Sequence, residues 1–365
     1  MKLISLTAGA ALLASTAMVQ AGGIDRSGQS VGIIFEEGTY AELSFGYVDP
    51  TVSGEDPIPL PTGDLAPSYT MTAGGFRTDI SDKIGVAVIF DQPFGSGADY
   101  PVSSPIYSNS FAELSSSAIT AIASYDVTDN IIVYGGGVMQ SMSASASLPF
   151  IPAPFVVPVY TVDAAEDSGF GYVVGAAYQI PEMALRVALT YRSEITTDHA
   201  TVETGVLPEG GDTTTITTPQ SINLEFKSGV NAKTLVFGSV RWVEWSKFHL
   251  SPPDLFNTPP GGTSLVDYEN DTFTYSLGVG RKLTDTLSGA ITVGYEAALG
   301  TDPTPLAPTD GNISLGAGLT YKMGNAEITA GAKYIWLGDS SAPLTVGSFA
   351  DNNAVAFGLK IAFAI

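Results

Sequence analysis

Two histidines, His199 and His249, are the only imidazole groups in the chain and the first candidates for acid–base chemistry. Asp198 precedes His199, but neighbouring residues of an extended strand point to opposite faces, so this carboxylate would not orient the ring. The chain has no cysteine and no clustered histidines, and therefore no spacing typical of a zinc site. We predict no enzymatic activity, no metal and no cofactor, and interpret both histidines as polar groups near the outer ends of strands.

Basic residues on the polar face of alternating segments are a second group of interest. They could bind a ligand carboxylate: Arg186, Arg192, Lys333 and Lys360. Alternatively, they pair with acidic residues that share this face, which we favour for any single one: Glu42, Glu225, Glu296 and Glu327.

The end of the chain shows what kind of element carries these side chains. From Val355 to Ile365 every second residue is large and apolar, and the residues between are small or charged. A period of two indicates a β-strand with one apolar face. Because lipid and lumen faces alternate in a membrane barrel, a closing strand that ends on an apolar residue favours an outer-membrane β-barrel.

Alternating segments recur along the chain, separated by turns that are alternately short and long. They predict fourteen strands near 40–48, 69–79, 84–91, 112–127, 131–147, 168–180, 184–195, 220–228, 232–247, 271–282, 286–299, 311–323, 326–337 and 353–365. An even strand number, short periplasmic turns and longer extracellular loops are typical of bacterial barrels. A secreted β-sandwich also alternates, but it requires neither this loop pattern nor an apolar terminal residue.

The composition agrees with export to the outer membrane. Lys2, the apolar run 3–13 and Val19-Gln20-Ala21 predict a signal peptide over residues 1–21. The absence of cysteine excludes a disulfide scaffold, and no later apolar run is long enough for a spanning helix. A formal net charge of −22 argues against nucleic acid as a partner.

The faces of the strands supply further expectations. Leu185, Val187 and Leu189 should face lipid, and Arg186, Arg192 and Glu194 the lumen. Trp242, Trp245 and Trp336 all fall at the outer ends of strands, which predicts an aromatic girdle at one interface.

Two segments outside the strands carry apolar residues. Residues 22–39, before the barrel of residues 40–365, include Ile33, Ile34 and Phe35, which favours a plug inside the lumen over a disordered periplasmic tail. The loop 148–160 combines prolines with Phe150, Phe155 and Val157. Proline prevents strand pairing, so this loop is expected to bind an apolar ligand, to cap the barrel mouth, or both.

Four short stretches carry a further signal: Pro93-Phe94-Gly95 with Tyr100, Thr218-Pro219-Gln220-Ser221, the stretch 242–248 and the Pro-rich link 302–308. In their order and spacing they resemble the FadL-like outer-membrane transporters of long-chain fatty acids and other hydrophobic compounds. The resemblance covers nearly the whole chain after the signal peptide. The family often has Asn-Pro-Ala before the first strand, where this sequence reads Phe35-Glu36-Glu37-Gly38-Thr39.

The resemblance implies a monomeric barrel with fourteen strands, an N-terminal hatch and a lateral opening at a kink in the third strand. That strand contains Gly85 and is followed by Pro93, Phe94 and Gly95, which would interrupt its ladder. The expected function is passive uptake of hydrophobic small molecules such as long-chain fatty acids, in contact with outer-membrane lipid and lipopolysaccharide. Two alternatives are a porin for polar solutes and a structural or adhesive barrel.

Overall fold

The computed structural model describes residues 24–149, 159–206, 211–257, 264–300, 304, 306–342 and 347–365. The predicted signal peptide, 1–21, therefore lies outside the described residues. So do Phe150, Phe155 and Val157 of the proline-rich loop. Among the helices that are described, none has the length and apolar character needed to cross a membrane.

Fourteen antiparallel strands form the wall of the molecule, as the alternating segments predicted. They are β1 Tyr40–Thr51, β2 Tyr69–Ser81, β3 Ile84–Asp91 and Gly95–Asp99, β4 Phe111–Asp126, β5 Ile131–Pro149, β6 Val159–Ile180, β7 Leu185–Arg192 and Ile195–Thr204, β8 Gly211–Thr218 and Ser221–Asn231, β9 Thr234–Val243, β10 Thr272–Lys282, β11 Leu287–Glu296, β12 Asn312–Met323, β13 Ala326–Leu337 and β14 Asn353–Ala364. The outer parts of β6 and β8 begin nine residues earlier than predicted, because their Thr- and Asp-rich stretches continue the ladder beyond the apolar belt.

The last strand closes the sheet on the first one. β14 pairs antiparallel with β1, from Tyr40 opposite Ala364 to Thr51 opposite Asn353. Every other strand pairs with its neighbours in the chain, so the sheet closes on itself. Closure satisfies the backbone hydrogen bonds within the wall, which a strand structure in lipid requires.

Side chains alternate between the two faces of this wall as predicted. On β12, Ile313, Leu315 and Leu319 are exposed on the outside, whereas Ser314 and Thr320 are buried inside. On β7, Leu189 is exposed and Arg192 is buried. A charged residue on the lipid face costs about 2–4 kcal/mol at mid-bilayer, which explains why the basic residues face the lumen.

Two predicted orientations are wrong. Glu194 is exposed rather than lumenal, because β7 is interrupted between Arg192 and Ile195 and the alternation shifts by one residue there. Trp245 is only 1% exposed and lies inside, because β9 ends at Val243 and the chain turns inward over the barrel mouth in a 3₁₀ helix, Trp245–Lys247. Trp336, which is 48% exposed, and the half-buried Trp242 do face outward.

Short elements at the outer end cover the mouth of the barrel. Gly54–Glu55, Ser340–Ala342 and Gly347–Phe349 form a small three-stranded sheet. The long connection between β9 and β10 contains a two-stranded ladder, His249–Leu250 with Val266–Asp267, and helix α1, Pro253–Asn257. Two further 3₁₀ helices, Gly32–Phe35 and Pro181–Met183, lie before β1 and between β6 and β7.

Candidate functional site

Residues 24–39, called here the N-terminal segment, contact inward-facing side chains of the barrel. Ser27 Oγ donates a hydrogen bond of 2.6 Å to Asp91 on β3. On β8, Asn223 donates to the carbonyl of Gly28 at 2.9 Å, and Glu225 accepts from Ser30 at 3.0 Å. These bonds reach different parts of the inner wall, so the segment runs within the ring of strands.

The apolar side of the N-terminal segment packs against one half of that wall. Val31, Ile33 and Ile34 are buried among inward-facing residues of β3 to β7: Ala87, Ile89, Ala118, Ile122, Ile132, Tyr134, Val138, Val173, Ala177 and Ala188. The ring of Phe35 meets that of Tyr134 edge-on, with 5.7 Å between the centroids. The expectation that Ile33 and Ile34 avoid water therefore holds.

The opposite half of the inner wall has a different character. Small polar residues and glycines from β10 to β12 face a cavity of about 240 Å³ beside the N-terminal segment: Thr274, Ser276, Thr292, Gly294, Asn312 and Ser314. Lys333 and Lys360 line the same cavity, and Lys360 forms an ion pair with Glu42 at 3.1 Å. The lumen thus has an apolar half that holds the segment and a polar half that borders open space.

Two of the basic residues predicted from the sequence contact the N-terminal segment itself. The guanidinium of Arg186 lies 4.0 Å from the ring centroid of Phe35. Arg192 donates to the carbonyl oxygen of Gln29 at 3.2 Å. A further residue, Arg241 on β9, forms a buried ion pair with Asp25 and also donates to the side chain of Gln29 at 3.0 Å. Arg186, Arg192, Ile33 and Phe35 are therefore brought together, and Lys333 lies across the cavity.

The ladder of β3 is interrupted next to this segment. On β4, Ala118 pairs with Asp91 and Ser115 pairs with Gly95, so three residues of β3 stand opposite two of β4. On its other side, β3 pairs with β2 only as far as Gly74 opposite Phe90. Among the described residues, the outer part of β2 therefore has no strand partner on the side that faces β3. The interruption falls at Pro93 and Phe94, where the sequence placed it. Gly85 lies near the start of β3, paired with Asp79 and Ser124, beside a register shift between Asp79 and Ser81 of β2.

The backbone released by this interruption bonds to the N-terminal segment. The amide of Arg26 donates to the carbonyl of Pro93 at 2.7 Å, and the amide of Gly95 donates to the carbonyl of Ile24 at 2.8 Å. Phe94 turns inward and meets the ring of Trp245 edge-on at 5.9 Å. The segment therefore replaces β2 as the hydrogen-bond partner of β3 at this point.

A cavity of about 650 Å³ lies at the interruption. It is bordered by residues of the N-terminal segment, of β2 and β3 and of the outer loops, among them Arg26, Leu65, Tyr69, Gln92, Gly97 and Tyr268. The guanidinium of Arg26 stacks 4.1 Å from the centroid of the Tyr69 ring. This pair stands where β2 and β3 share no backbone hydrogen bond; the amide of Thr72 on β2 donates instead to the side chain of Gln92 at 2.8 Å.

A smaller apolar pocket of about 50 Å³ lies beside this cavity, under the connection between β9 and β10. Its lining consists mainly of Ile24 and small or branched residues: Ala112, Leu114, Ala144, Ala146, Val162, Ala164, Ile216, Leu265 and Leu306. Trp245, Phe248 and Tyr268 stack over the neighbouring core. Apolar lining with few polar groups is typical of sites for hydrophobic ligands.

The β9–β10 connection forms the roof over this pocket. One carboxylate, which was not identified from the sequence, holds this roof in place. Glu203, at the outer end of β7, is 2% exposed. It accepts hydrogen bonds from the amides of Asp254 and Leu255, at 2.8 and 2.9 Å, and from the hydroxyl of Tyr160 at 2.8 Å.

The histidines take no part in this site. His249 is exposed and lies 2.7 Å from Asp267. His199 lies in the outer part of β7, as expected, but it is fully buried there, with its ring nitrogens 2.7 Å from the carbonyl of Ala165 and from Thr197 Oγ1. As predicted, Asp198 lies on the opposite, exposed face. No group of metal-ligating side chains occurs within the described part of the chain.

Several solved structures share this fold. A FadL homologue of Pseudomonas aeruginosa superposes with a TM-score of 0.74 at 16% identity, over 96% of this chain and 97% of its own. The Pseudomonas putida toluene transporter TodX gives 0.69 at 12% identity over the full length of both chains. The Ralstonia pickettii toluene transporter TbuX gives 0.64 at 14% identity over 97% of both. No curated protein sequence matches the chain.

A match to a protein-family model identifies the family of this chain more directly than the similar structures do. Residues 34–344 match the model of the outer membrane protein transport proteins named OMPP1/FadL/TodX. The match extends from the 3₁₀ helix of the N-terminal segment to the connection between β13 and β14, and agrees with the closed barrel of fourteen strands. The protein resides in the outer membrane, and the chain belongs to the OMPP1/FadL/TodX family.

Proposed function

We propose that this protein is a passive channel through which hydrophobic small molecules cross the outer membrane. The observation that carries the proposal is the interruption of β3. It leaves the wall without backbone hydrogen bonds between β2 and β3 beside a cavity of about 650 Å³, next to an apolar pocket. A hydrophobic molecule in that cavity has a short path into the surrounding lipid and gains free energy by leaving water.

Under this proposal, residues 22–39 act as a hatch. The buried ion pair between Asp25 and Arg241 and the apolar contacts of Ile33 hold the segment across the lumen. A ligand would be held near Ile24 under the β9–β10 connection and leave sideways past Pro93, Phe94 and Gly95. Arg186 and Arg192 then stabilise the hatch, and Lys333 faces the remaining space.

The ligands we propose are hydrophobic compounds of the kinds that the similar structures are named for. Toluene is the transported compound in the names of TodX and TbuX, and a long-chain fatty acid is the second candidate. Long-chain fatty acids would need the 650 Å³ cavity, whereas a single aromatic ring is closer in size to the apolar pocket after a small opening. We further propose that the protein acts as a monomer embedded in outer-membrane lipid and lipopolysaccharide.

Uptake of radiolabelled toluene and oleate into cells that lack their own FadL-type channels tests this function. Expression of the protein should raise the uptake rate of at least one compound, without raising uptake of a small sugar. Equal gain for toluene and for the sugar, together with a large steady conductance in planar bilayers, would instead establish a polar-solute porin. No gain for either hydrophobic compound would contradict the proposal.

A further inference from the structure

The side chain of Arg26 lies within the wall of the barrel, in the opening between β2 and β3. Its guanidinium is 4.1 Å from the centroid of the Tyr69 ring at the start of β2. On its other side it covers Gly95 of β3 closely. A Cβ atom added to Gly95 would lie 2.5 Å from Arg26 Cζ and 2.6 Å from Nε and Nη1. Arg26 thus occupies the space in which the two strands share no backbone hydrogen bond.

The strand register shows which faces of the two strands meet the guanidinium. Tyr69 has the same parity as the buried Met71, so its side chain points to the inner face of β2. Gly95 pairs with Ser115 of β4, which is exposed, so a Cβ on Gly95 would point outward. The guanidinium therefore lies inside β2 but outside β3, and the side chain passes through the opening between them.

Only stacking holds the guanidinium in this position. It forms no hydrogen bond and no ion pair with the described residues, although Glu113 of β4 borders the same cavity. Losing a cation–π contact with Tyr69 costs less than losing one partner of a buried ion pair. The backbone of Arg26, by contrast, is anchored, because its amide donates to the carbonyl of Pro93 at 2.7 Å. The side chain can therefore turn away while the N-terminal segment stays in place.

We propose that Arg26 is the gate residue of the lateral exit. Its guanidinium closes the opening between Tyr69 and Gly95, and it must leave this position before a hydrophobic ligand can pass into the lipid. The cavity of about 650 Å³, which all three residues border, offers the room for this movement. The inference rests on the proposed function, because it assigns a residue to the proposed exit.

Two substitutions on different elements should open the exit. Arg26→Ala removes the guanidinium, whereas Gly95→Ala places a methyl group where the guanidinium now lies and displaces the flexible end of that side chain. Each should raise the rate of toluene uptake about two- to fivefold, the shift in population expected when an exposed cation–π contact is lost. The double variant should gain no more than either single variant, because both changes remove the same obstacle. Uptake of radiolabelled toluene is measured in cells that lack their own FadL-type channels.

Matched controls separate a gate from a general loosening of the N-terminal segment. Gly137→Ala, on the exposed face of β5, adds a methyl group with no neighbouring atom within 4 Å and should leave toluene uptake unchanged. Arg26→Ala should change neither the uptake of a small sugar nor proteolysis within residues 24–39, because the backbone bond to Pro93 remains. Heat-modifiable migration on gels confirms that each variant is folded.

The outcomes distinguish the gate from the function on which it rests. If either folded variant takes up toluene at the wild-type rate or below, the inference is wrong while the proposed function stands. A rise in toluene uptake together with equally increased sugar uptake or faster proteolysis would show that the whole segment had loosened, which also contradicts a gate formed by one side chain. Wild-type protein that takes up neither toluene nor oleate would overturn the proposed function itself.

Discussion

Asp25 and Arg241 form a buried ion pair although 216 positions separate them in the chain. Arg241 also donates to Asn223 at 2.8 Å and to Ser221 at 3.2 Å, so its guanidinium joins the N-terminal segment to β8 and β9. A charge this deeply buried needs its partners to offset the loss of hydration. The position of the segment in the lumen therefore depends on this contact.

Replacing Asp25 by Asn should loosen the N-terminal segment. Removing one partner of a buried ion pair typically costs about 3–5 kcal/mol, because the other charge stays buried. We expect faster proteolysis within residues 24–39 and a higher conductance in planar bilayers. Asp285→Asn is the control, since Asp285 is almost fully exposed and its pairing with Lys282 contributes little. Equal protease resistance of D25N and the wild type would show that the apolar contacts alone hold the segment.

Deleting Pro93 should close the interruption in β3. Three residues of β3 now stand opposite two of β4, so the deletion makes the register continuous from Asp91 to Gly95 and keeps Phe94 inward. We expect uptake of radiolabelled toluene to fall to background in cells producing this variant. Pro93→Ala keeps the extra residue and should retain uptake. Undiminished uptake by the deletion variant would mean that ligand leaves by another route.

Docking of the N-terminal segment should weaken as pH rises. Burial raises the pKa of Glu36, with Glu42 adding to this and Lys227, Lys360 and Arg186 opposing it. An acid with a raised pKa in the docked state binds its proton more tightly there than when undocked. Docking is thus favoured at low pH and is weakened from about pH 4, the ordinary range of a glutamate, up through the raised value.

Limited proteolysis at a series of pH values measures this effect. Glu36→Gln should abolish the pH dependence, because the amide does not titrate. The neighbouring exposed Glu37→Gln should leave the dependence as in the wild type. If the Glu36→Gln and Glu37→Gln variants show the same pH profile, titratable groups other than Glu36 cause the pH dependence of docking.

Replacing Glu203 by Ala should free the roof over the apolar pocket. The change removes the acceptor for the amides of Asp254 and Leu255 and for the hydroxyl of Tyr160. Buried donors left unpaired cost about 1–3 kcal/mol each, so the β9–β10 connection should exchange its amide hydrogens faster. Glu244→Ala, in the same connection but only partly buried, is the control. Slow exchange around Leu255 in both variants would show that the aromatic cluster alone fixes the roof.

Changing Phe363 and Ile365 to Ser should impair insertion into the outer membrane. Both residues are exposed on the outer face of the closing strand, at 48% and 78%. Polar residues there lose the apolar burial that lipid provides. The fraction of heat-modifiable barrel in membrane extracts should fall, whereas Ala362→Ser and Ala364→Ser together should have little effect. Normal insertion of the variant with Ser at positions 363 and 365 would show that apolar residues at these outward-facing positions are not required for insertion.

The strands could be predicted from the sequence because a barrel repeats one simple rule, apolar outside and polar or small inside, over fourteen segments. The pairing of the last strand with the first follows from closure of the sheet, whereas the register, with Tyr40 opposite Ala364, is seen only in the structure. Proline at position 93 similarly identified the interruption of β3, since proline cannot donate to a ladder.

The site was harder to predict because it depends on breaks in that rule. The orientations of the Glu194 and Trp245 side chains were predicted wrongly. Each residue follows the end of a regular strand, where alternation no longer determines which face a side chain occupies. Glu203 sits on the inward face of the outer part of β7, where the amides of Asp254 and Leu255 in the β9–β10 connection bond to it. Such contacts join residues about 50 positions apart, and no local pattern encodes them.

The mismatch of three residues against two at Pro93 also bears on how this channel could have arisen. A strand ladder changes register only in whole residues, so an opening of this kind cannot widen gradually through substitutions. A single inserted codon would create it in one step and a single deletion would erase it. Among homologues, gain and loss of the proposed lateral exit should accordingly follow insertions and deletions in the third strand, while substitutions in the pocket should change which compounds bind.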